Sequence, residues 1–224
     1  MIILARHGET PANAAREAGL AESRVQGFSK DMPLSETGKL QAVAFGRALG
    51  HFLAEREVCD IVVHSSDAVR AEHTRDLALS QFATYAGRIV LPESDIRLRE
   101  LSKGSLEGML RSEAYPTKEV KRRQKADWHF RHGTPESGGE TAYEAGSRWL
   151  EWQKEVEQSE ACIVAFGHNL VTSFGVHMLV YPEEATLDMP SLEQSTQYKV
   201  PNATALVIDE QEGMWRVIDA ISPR

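Results

Sequence analysis

Cysteine, long apolar runs and net positive charge are all scarce in this 224-residue sequence, and each scarcity removes a class of protein. Two cysteines, Cys59 and Cys162, cannot build a disulfide framework. Each lies beside an apolar run, Ile61-Val62-Val63 or Ile163-Val164-Ala165, and reads as a small buried thiol next to a strand. The most apolar later stretch, residues 170–180, is too short to span a membrane and is broken by Thr172, Ser173 and His177. The apolar start reaches Arg6 and His7 too soon for a signal-peptide core, so a cytoplasmic location with no membrane partner is expected. The net charge of −8, from 25 basic and 33 acidic residues, argues against a nucleic-acid partner. There is no internal repeat and no low-complexity tract.

What remains is ordinary for a globular chain: 42% apolar and 26% charged residues. The length suits a single domain, 1–224, with a core large enough to need no structural metal. Residues 2–5 read as a short buried strand. Ser35 can cap a helix reaching about Glu57, with Leu40, Val43, Ala44, Leu49, Phe52 and Leu53 near helical spacing. Residues 60–64 form a second strand, 67–86 a second helix, and 89–91 a weaker strand. A basic run over 118–125 falls on a further helix. Then come a helix over 141–158, a strand over 162–166, a helix over 168–180 and a terminal hairpin turning at Glu212-Gly213. Strands alternating with helices predict an α/β fold whose mostly parallel central sheet carries helices on both faces. Ligands of such sheets bind beyond the carboxyl ends of the strands.

Reactive residues fall at those ends. The first strand runs into Arg6-His7-Gly8-Glu9-Thr10, the second into His64-Ser65-Ser66 with Arg70 beyond, and the later one into Gly167-His168-Asn169. Arg97-Leu98-Arg99-Glu100-Leu101 follows the weaker strand. A neutral histidine is a competent nucleophile near neutral pH and can accept a phosphoryl group and pass it on. Phosphoryl transfer asks mainly for positioning and for charge stabilisation on the equatorial oxygens, which the planar fork of arginine supplies. A carboxylic acid can protonate the leaving oxygen and then serve as base toward water. Arg6, His7, Arg70, Glu100 and His168 fill these roles.

Arg6-His7-Gly8-Glu9-Thr10 with Asn13 resembles the signature of the histidine phosphatase superfamily, also called phosphoglycerate mutase-like. Further blocks resemble it in order along nearly the whole chain. They are Gln26-Gly27, Pro33-Leu34-Ser35 with Gly38 and Gln41-Ala42, Ser65-Ser66 with Arg70-Ala71 and Thr74, and Leu98-Arg99-Glu100-Leu101 with Gly104 and Glu107-Gly108. Gly139-Glu140-Thr141 with Arg148, Gly167-His168, and Asn202 with Thr204 complete the series. The resemblance implies a three-layer αβα sandwich and a phosphohistidine intermediate on His7. It implies a phosphate pocket of Arg6, Arg70 and His168 helped by Asn13, with Glu100 as proton donor and Gln26, Gly27 and Asn169 on the rim. The chain departs from the family pattern at Ala12, Asp67, Thr141 and Asn169, and the segment between Asn13 and Gln26 is somewhat long.

Several alternatives stay open at this level. Glu9, Glu93, Glu107 and Glu140 compete with Glu100 for the acid role. A metal held by His7, His168 and Glu100 would be repelled by two neighbouring arginines, so no metal or other cofactor is expected. His64 and His73 are candidates to border the site, whereas His51 and His177, inside helices, read as structural or surface groups. Trp128-His129-Phe130-Arg131-His132 is a candidate lid within a substrate-rim insertion over 102–138. Side chains from 14–30 and 102–138 are expected to form the rim. The basic run is a solvated face or an attractor of anions. The substrate expected is a small phosphomonoester and the reaction its hydrolysis. A phosphoglycerate mutase and a catalytically silent phosphate-binding module are the alternatives. Residues 98–101 and 109–138 look closer to the phosphatase branch of the family. A homodimer is the generic expectation.

Overall fold

The apolar run at the start becomes a strand covered on both faces. β1, Ile2–Arg6, is buried at every position, as a strand inside a parallel sheet should be. The computed structural model describes residues 1–28, 32–85, 87–127, 135–183 and 198–223. After β1 come α1 (Pro11–Glu17), α2 (Glu36–Glu55), β2 (Asp60–Ser65), α3 (Val69–Phe82) and β3 (Arg88–Val90). Two 3-10 turns, Ile96–Leu98 and Gly104–Leu106, lead to α4 (Arg111–Ala114), α5 (Lys118–Asp127) and α6 (Ala142–Val156). β4 (Cys162–Gly167), α7 (Asn169–Val180) and the hairpin β5 (Ala205–Gln211) and β6 (Met214–Ile221) complete the described chain.

The strands form one six-stranded sheet in the order β3-β2-β4-β1-β5-β6. The pairs β3–β2, β2–β4 and β4–β1 are parallel; β5 and β6 close one side as an antiparallel hairpin. Strand side chains alternate between two faces, and each face has its own core. Ile2 and Leu4 of β1 and Ile163 of β4 join Trp149 and Trp152 of α6 and Phe174 of α7. Ile3 and Ala5, with Val164 and Phe166, join Phe45 and Leu49 of α2 and Phe82 of α3. The fold is therefore a three-layer αβα sandwich with a mostly parallel sheet. Burying a side chain the size of Phe45 or Phe82 contributes roughly 1.5–3 kcal/mol. The α6–α7 crossing is tight enough that a Cβ at Gly175 would run into the Trp149 ring.

Local signals set the helix starts. Ser35 caps α2 by accepting the Gly38 N–H at 3.0 Å, and Thr141 forms a capping box with Glu144 at the start of α6. The buried face of α2 differs from the expected one. Leu40 is 73% exposed, and the core-facing set is Ala42, Phe45, Leu49, Phe52 and Leu53, because the helix turns Leu40 away from the sheet. Cys59 is exposed rather than buried, since it precedes β2 outside the helical layers. Cys162 is buried, and desolvation pushes its thiol up to about 11. The helix after β2 ends at Phe82 and continues only as the 3-10 turn Ala83–Tyr85. α5 carries the basic run on a solvent-exposed helix, where Arg122 pairs with Glu119 at 2.7 Å. The candidate lid segment 128–132 lies outside the described residues.

Candidate active site

Parallel register brings the reactive residues together. Arg6 pairs with Gly167 and Ser65 with Phe166, so β1, β4 and β2 end side by side. The next residues, His7, His168 and Ser66, are thus neighbours at the carboxyl edge of the sheet. Backbone bonds continue past the strands: His7 N–H to the Gly167 carbonyl at 3.1 Å, and Ser66 N–H to the Phe166 carbonyl at 2.8 Å. The His7 and His168 ring centroids lie 5.2 Å apart. The turn after His7 needs glycine. A Cβ at Gly8 would strike the Gly38 carbonyl, and one at Gly38 would strike the Glu9 carbonyl.

His7 is almost fully buried, and its Nδ1 donates to the Gly8 carbonyl at 2.7 Å. A carbonyl only accepts, so Nδ1 carries the proton and Nε2 keeps its lone pair. Burial holds His7 well below the ordinary histidine range. The Arg70 and Arg6 charges push the same way, against the Gly8 carbonyl. His168 is fully buried and lowered likewise, first by burial and then by Arg70. Its Nε2 lies 3.0 Å from Ser66 Oγ, and its Nδ1 meets no hydrogen-bonding partner among the described residues.

Two buried arginines flank this pair. Arg6 Nη1 donates to the Val200 carbonyl at 3.0 Å, and Arg70 Nη2 donates to the Gly27 carbonyl at 2.8 Å. Burial pulls the Arg6 guanidinium down to about 10, with Glu100 opposing, so it stays charged at neutral pH. Arg70 is lowered by the same cause. Both arginines, His7 and Glu100 line one cavity of about 420 Å³.

Glu100 is the sole carboxylate among the described residues lining that cavity. It accepts N–H bonds from Leu101 at 2.9 Å, Leu170 at 3.2 Å and Val171 at 3.1 Å, the last two at the open start of α7. The competing carboxylates are engaged elsewhere. Glu9 accepts the Ser35 hydroxyl at 2.6 Å, and Glu107 accepts the Phe28 and Lys103 N–H groups, each at 2.8 Å. Glu140 pairs with Arg148 at 2.8 Å, while Glu93 is exposed and outside the cavity. The backbone before Glu100 is fixed by Arg148, which donates to the Arg97 and Arg99 carbonyls at 2.7 Å and to the Glu100 carbonyl at 3.1 Å. Arg99 in turn pairs with Asp67, one of the departures from the family pattern.

Asn13, Gln26 and Asn169 line the cavity, whereas Gly27 does not; it supplies the carbonyl that holds Arg70. Asn13 sits in a network, giving Nδ2 to Gln26 at 3.1 Å while its Oδ1 accepts from Asn202 at 3.3 Å. Asn169 accepts the Val200 N–H at 2.9 Å. His64 packs on Trp152 at 5.8 Å and His73 is exposed on α3; neither lines the cavity. His51 is exposed and His177 buried. Arg16 and Arg24, and Lys103, Arg111 and Tyr115, reach the cavity from the two segments expected to form the rim. Lys199 also lines it and was signalled by no motif. Among the described residues no three side chains of the metal-ligating types come together, and no helix is long and apolar enough to cross a membrane.

Comparison with known proteins matches the geometry. The model of the histidine phosphatase superfamily (branch 1) matches residues 2–219. A protein of Serratia proteamaculans named "Probable phosphoglycerate mutase GpmB" is 28% identical over 216 residues, covering 96% of this chain and 86% of the relative. A 2,3-bisphosphoglycerate-dependent phosphoglycerate mutase of Nitrobacter hamburgensis is 28% identical over 176 residues, covering 78% and 75%. Among solved structures, a mycobacterial glucosyl-3-phosphoglycerate phosphatase in complex with VO3 has a TM-score of 0.67 at 24% identity, covering 99% of this chain and 98% of its own. A phosphoglycerate mutase from Bacillus anthracis has a TM-score of 0.67 at 23% identity, covering 97% and 90%. A strand-end histidine pair flanked by two buried arginines, on a sandwich matched along nearly its whole length, places the chain in one family: it belongs to the histidine phosphatase superfamily, branch 1.

Proposed function

We propose that the protein hydrolyses a phosphomonoester through a phosphohistidine on His7, without a metal. The observation that carries this reading is the His7 tautomer. The Gly8 carbonyl claims Nδ1–H, which leaves Nε2 with a lone pair in a cavity also lined by Arg6 and Arg70 and, among the described residues, by one carboxylate. Nε2 attacks phosphorus while the bond to the leaving oxygen breaks, and Glu100 gives that oxygen a proton. A water then attacks the phosphohistidine and hands its proton to Glu100, releasing phosphate and restoring His7. Arg6 and Arg70 stabilise the equatorial oxygens throughout. If Ser66 donates its hydroxyl proton to Nε2 of His168, Nδ1 of His168 carries the other proton beside His7, although His168 itself is fully buried and does not line the cavity. Asn13 orders the loop after β1 through its bonds to Gln26 and Asn202.

Phosphate release from 4-nitrophenyl phosphate tests the reading. His7→Ala should abolish it and a chelator should leave it unchanged. Full activity in the variant, or a loss restored by a divalent ion, would overturn the assignment. The names of the sequence relatives favour a second reading, in which His7 returns the phosphoryl group to another oxygen of a phosphoglycerate. Incubation with 3-phosphoglycerate separates the two. Free phosphate supports the hydrolase, and fast isomerisation with little free phosphate supports the mutase.

A further inference from the structure

The backbone that follows β1 is held from several directions. The carbonyl of the His7–Gly8 peptide accepts Asn202 Nδ2 at 3.1 Å and the Ala203 N–H at 3.2 Å, and its N–H donates to Thr74 Oγ1 at 3.0 Å. Thr74 is fully buried on α3 and spends its hydroxyl proton on the Arg70 carbonyl at 2.7 Å, so only a lone pair is left for Gly8. The next peptide, Gly8–Glu9, is the one whose carbonyl takes Nδ1–H of His7. Its N–H donates to Gln41 Oε1 on α2 at 2.8 Å. An N–H meets only an acceptor, so the same bond fixes which way the Gln41 amide faces.

These anchors matter because the residue between them is glycine. No Cβ fits at Gly8, since it would strike the Gly38 carbonyl of α2. Without a side chain, Gly8 restricts its own φ and ψ little, and the direction of its carbonyl depends on bonds from outside. A trans peptide is planar, so holding the Glu9 N–H on Gln41 aims the Gly8 carbonyl the opposite way, at the His7 ring. Donation to Gln41 also polarises that carbonyl and strengthens its hold on Nδ1–H. In the other tautomer the proton sits on Nε2, which then has no lone pair for phosphorus.

We propose that Gln41 and Thr74 are positioning residues that lock His7 in the tautomer able to attack phosphorus. The proposal rests on the phosphohistidine reading and adds residues that do not line the cavity. Gln41 sets the peptide that receives the ring proton. Thr74 sets the peptide before it and, through the Arg70 carbonyl, keeps the turn in register with an arginine of the cavity.

The test reads the tautomer in the resting protein and the rate separately. Histidine is labelled with 15N, the ring nitrogens of His7 are assigned by their loss in His7→Asn, and NMR is recorded at pH 7.5. In the wild type Nδ1 should be protonated and Nε2 bare. Gln41 is half-buried, and Gln41→Met keeps length and helix propensity while removing the acceptor. Its two ring resonances should move toward the average of the tautomers. Its kcat for 4-nitrophenyl phosphate should fall on the order of tenfold with a much smaller change in KM. Thr74→Val, which keeps the shape without the hydroxyl, should act in the same direction. Gln41→Glu and Thr74→Ser keep an acceptor oxygen and should recover most of both effects. Partial unfolding would lower kcat without moving the ring nitrogens of the molecules that stay folded. Ring nitrogens or kcat at wild-type values in both Gln41→Met and Thr74→Val, or conservative variants no better than these, would overturn the proposal. Failure of the wild-type protein to release phosphate would overturn the hydrolase reading instead, while the ring nitrogens still decide whether Gln41 and Thr74 set the tautomer.

Discussion

Acidification should destabilise this protein through the two histidines that face each other across the site. Both are buried and held well below the ordinary value, chiefly by desolvation and then by Arg70. In the unfolded chain each returns to about 6.5. Above that value both are neutral in either state and contribute nothing to the pH dependence. Below it the unfolded state takes up protons that the folded state refuses, so stability falls as pH falls. The slope is roughly 1 kcal/mol per pH unit for each histidine until the folded groups begin to protonate, or about 2 kcal/mol for the pair over the first unit below 6.5. That is a large share of the roughly 5–15 kcal/mol holding a domain of this kind. Urea unfolding in phosphate-free buffer at pH 7.5 and 5.5 reads the loss. The double variant His7→Asn with His168→Asn should lose less by about that amount, because carboxylates such as Asp95, whose lowered value acts near pH 4 and below, are common to both proteins. Equal losses in the two proteins would refute the claim that these histidines are kept neutral.

Arg148→Met should cost about 3 kcal/mol of stability, since it strips a bidentate partner from Glu140 and a donor from three carbonyls around Glu100. In the folded fraction kcat for aryl phosphate should fall on the order of tenfold with a smaller change in KM, and Arg148→Lys, lacking the planar fork, should not restore it. Urea titration and steady-state kinetics check both halves. Gly38→Ala should destabilise by at least about 1 kcal/mol, because its Cβ meets the Glu9 carbonyl and the fixed backbone of the turn after His7 cannot yield; an unchanged denaturation midpoint would show that the turn does yield.

The parts of the fold that were legible in the sequence are those with continuous apolar runs or strong caps. β1 and β4 announce themselves because both faces are buried, and Ser35 and Thr141 mark helix starts by their side-chain bonds. α1 was not anticipated, although Thr10, Pro11 and Asn13 are its capping signals, because its seven residues carry no apolar stripe. Leu40 was misplaced because spacing alone does not fix which way a helix faces, and Cys59 because an apolar neighbour in sequence need not be a neighbour in space.

At the site, His7, Arg6, Arg70 and His168 could be read from their motifs at strand ends. In sequence Glu100 stands level with its rivals, since what sets it apart in space is that Glu9, Glu107 and Glu140 are engaged by Ser35, Lys103 and Arg148 while Glu100 lines the cavity. Arg24 and Arg111 were foreseeable only as members of rim segments, because a bridge between residues so far apart leaves no local trace. Asp67 looked like a mere departure from pattern and proves to hold Arg99, next to Glu100.

The central claim is that His7 carries the phosphoryl group, and trapping that intermediate tests it most directly. The protein is mixed with 4-nitrophenyl phosphate, quenched in alkali within the first turnover, digested and examined by mass spectrometry. An acid-labile phosphoryl group on Nε2 of His7, absent from His7→Ala, is the predicted result. A burst of nitrophenol with no modified histidine, or with the label on His168, would contradict it.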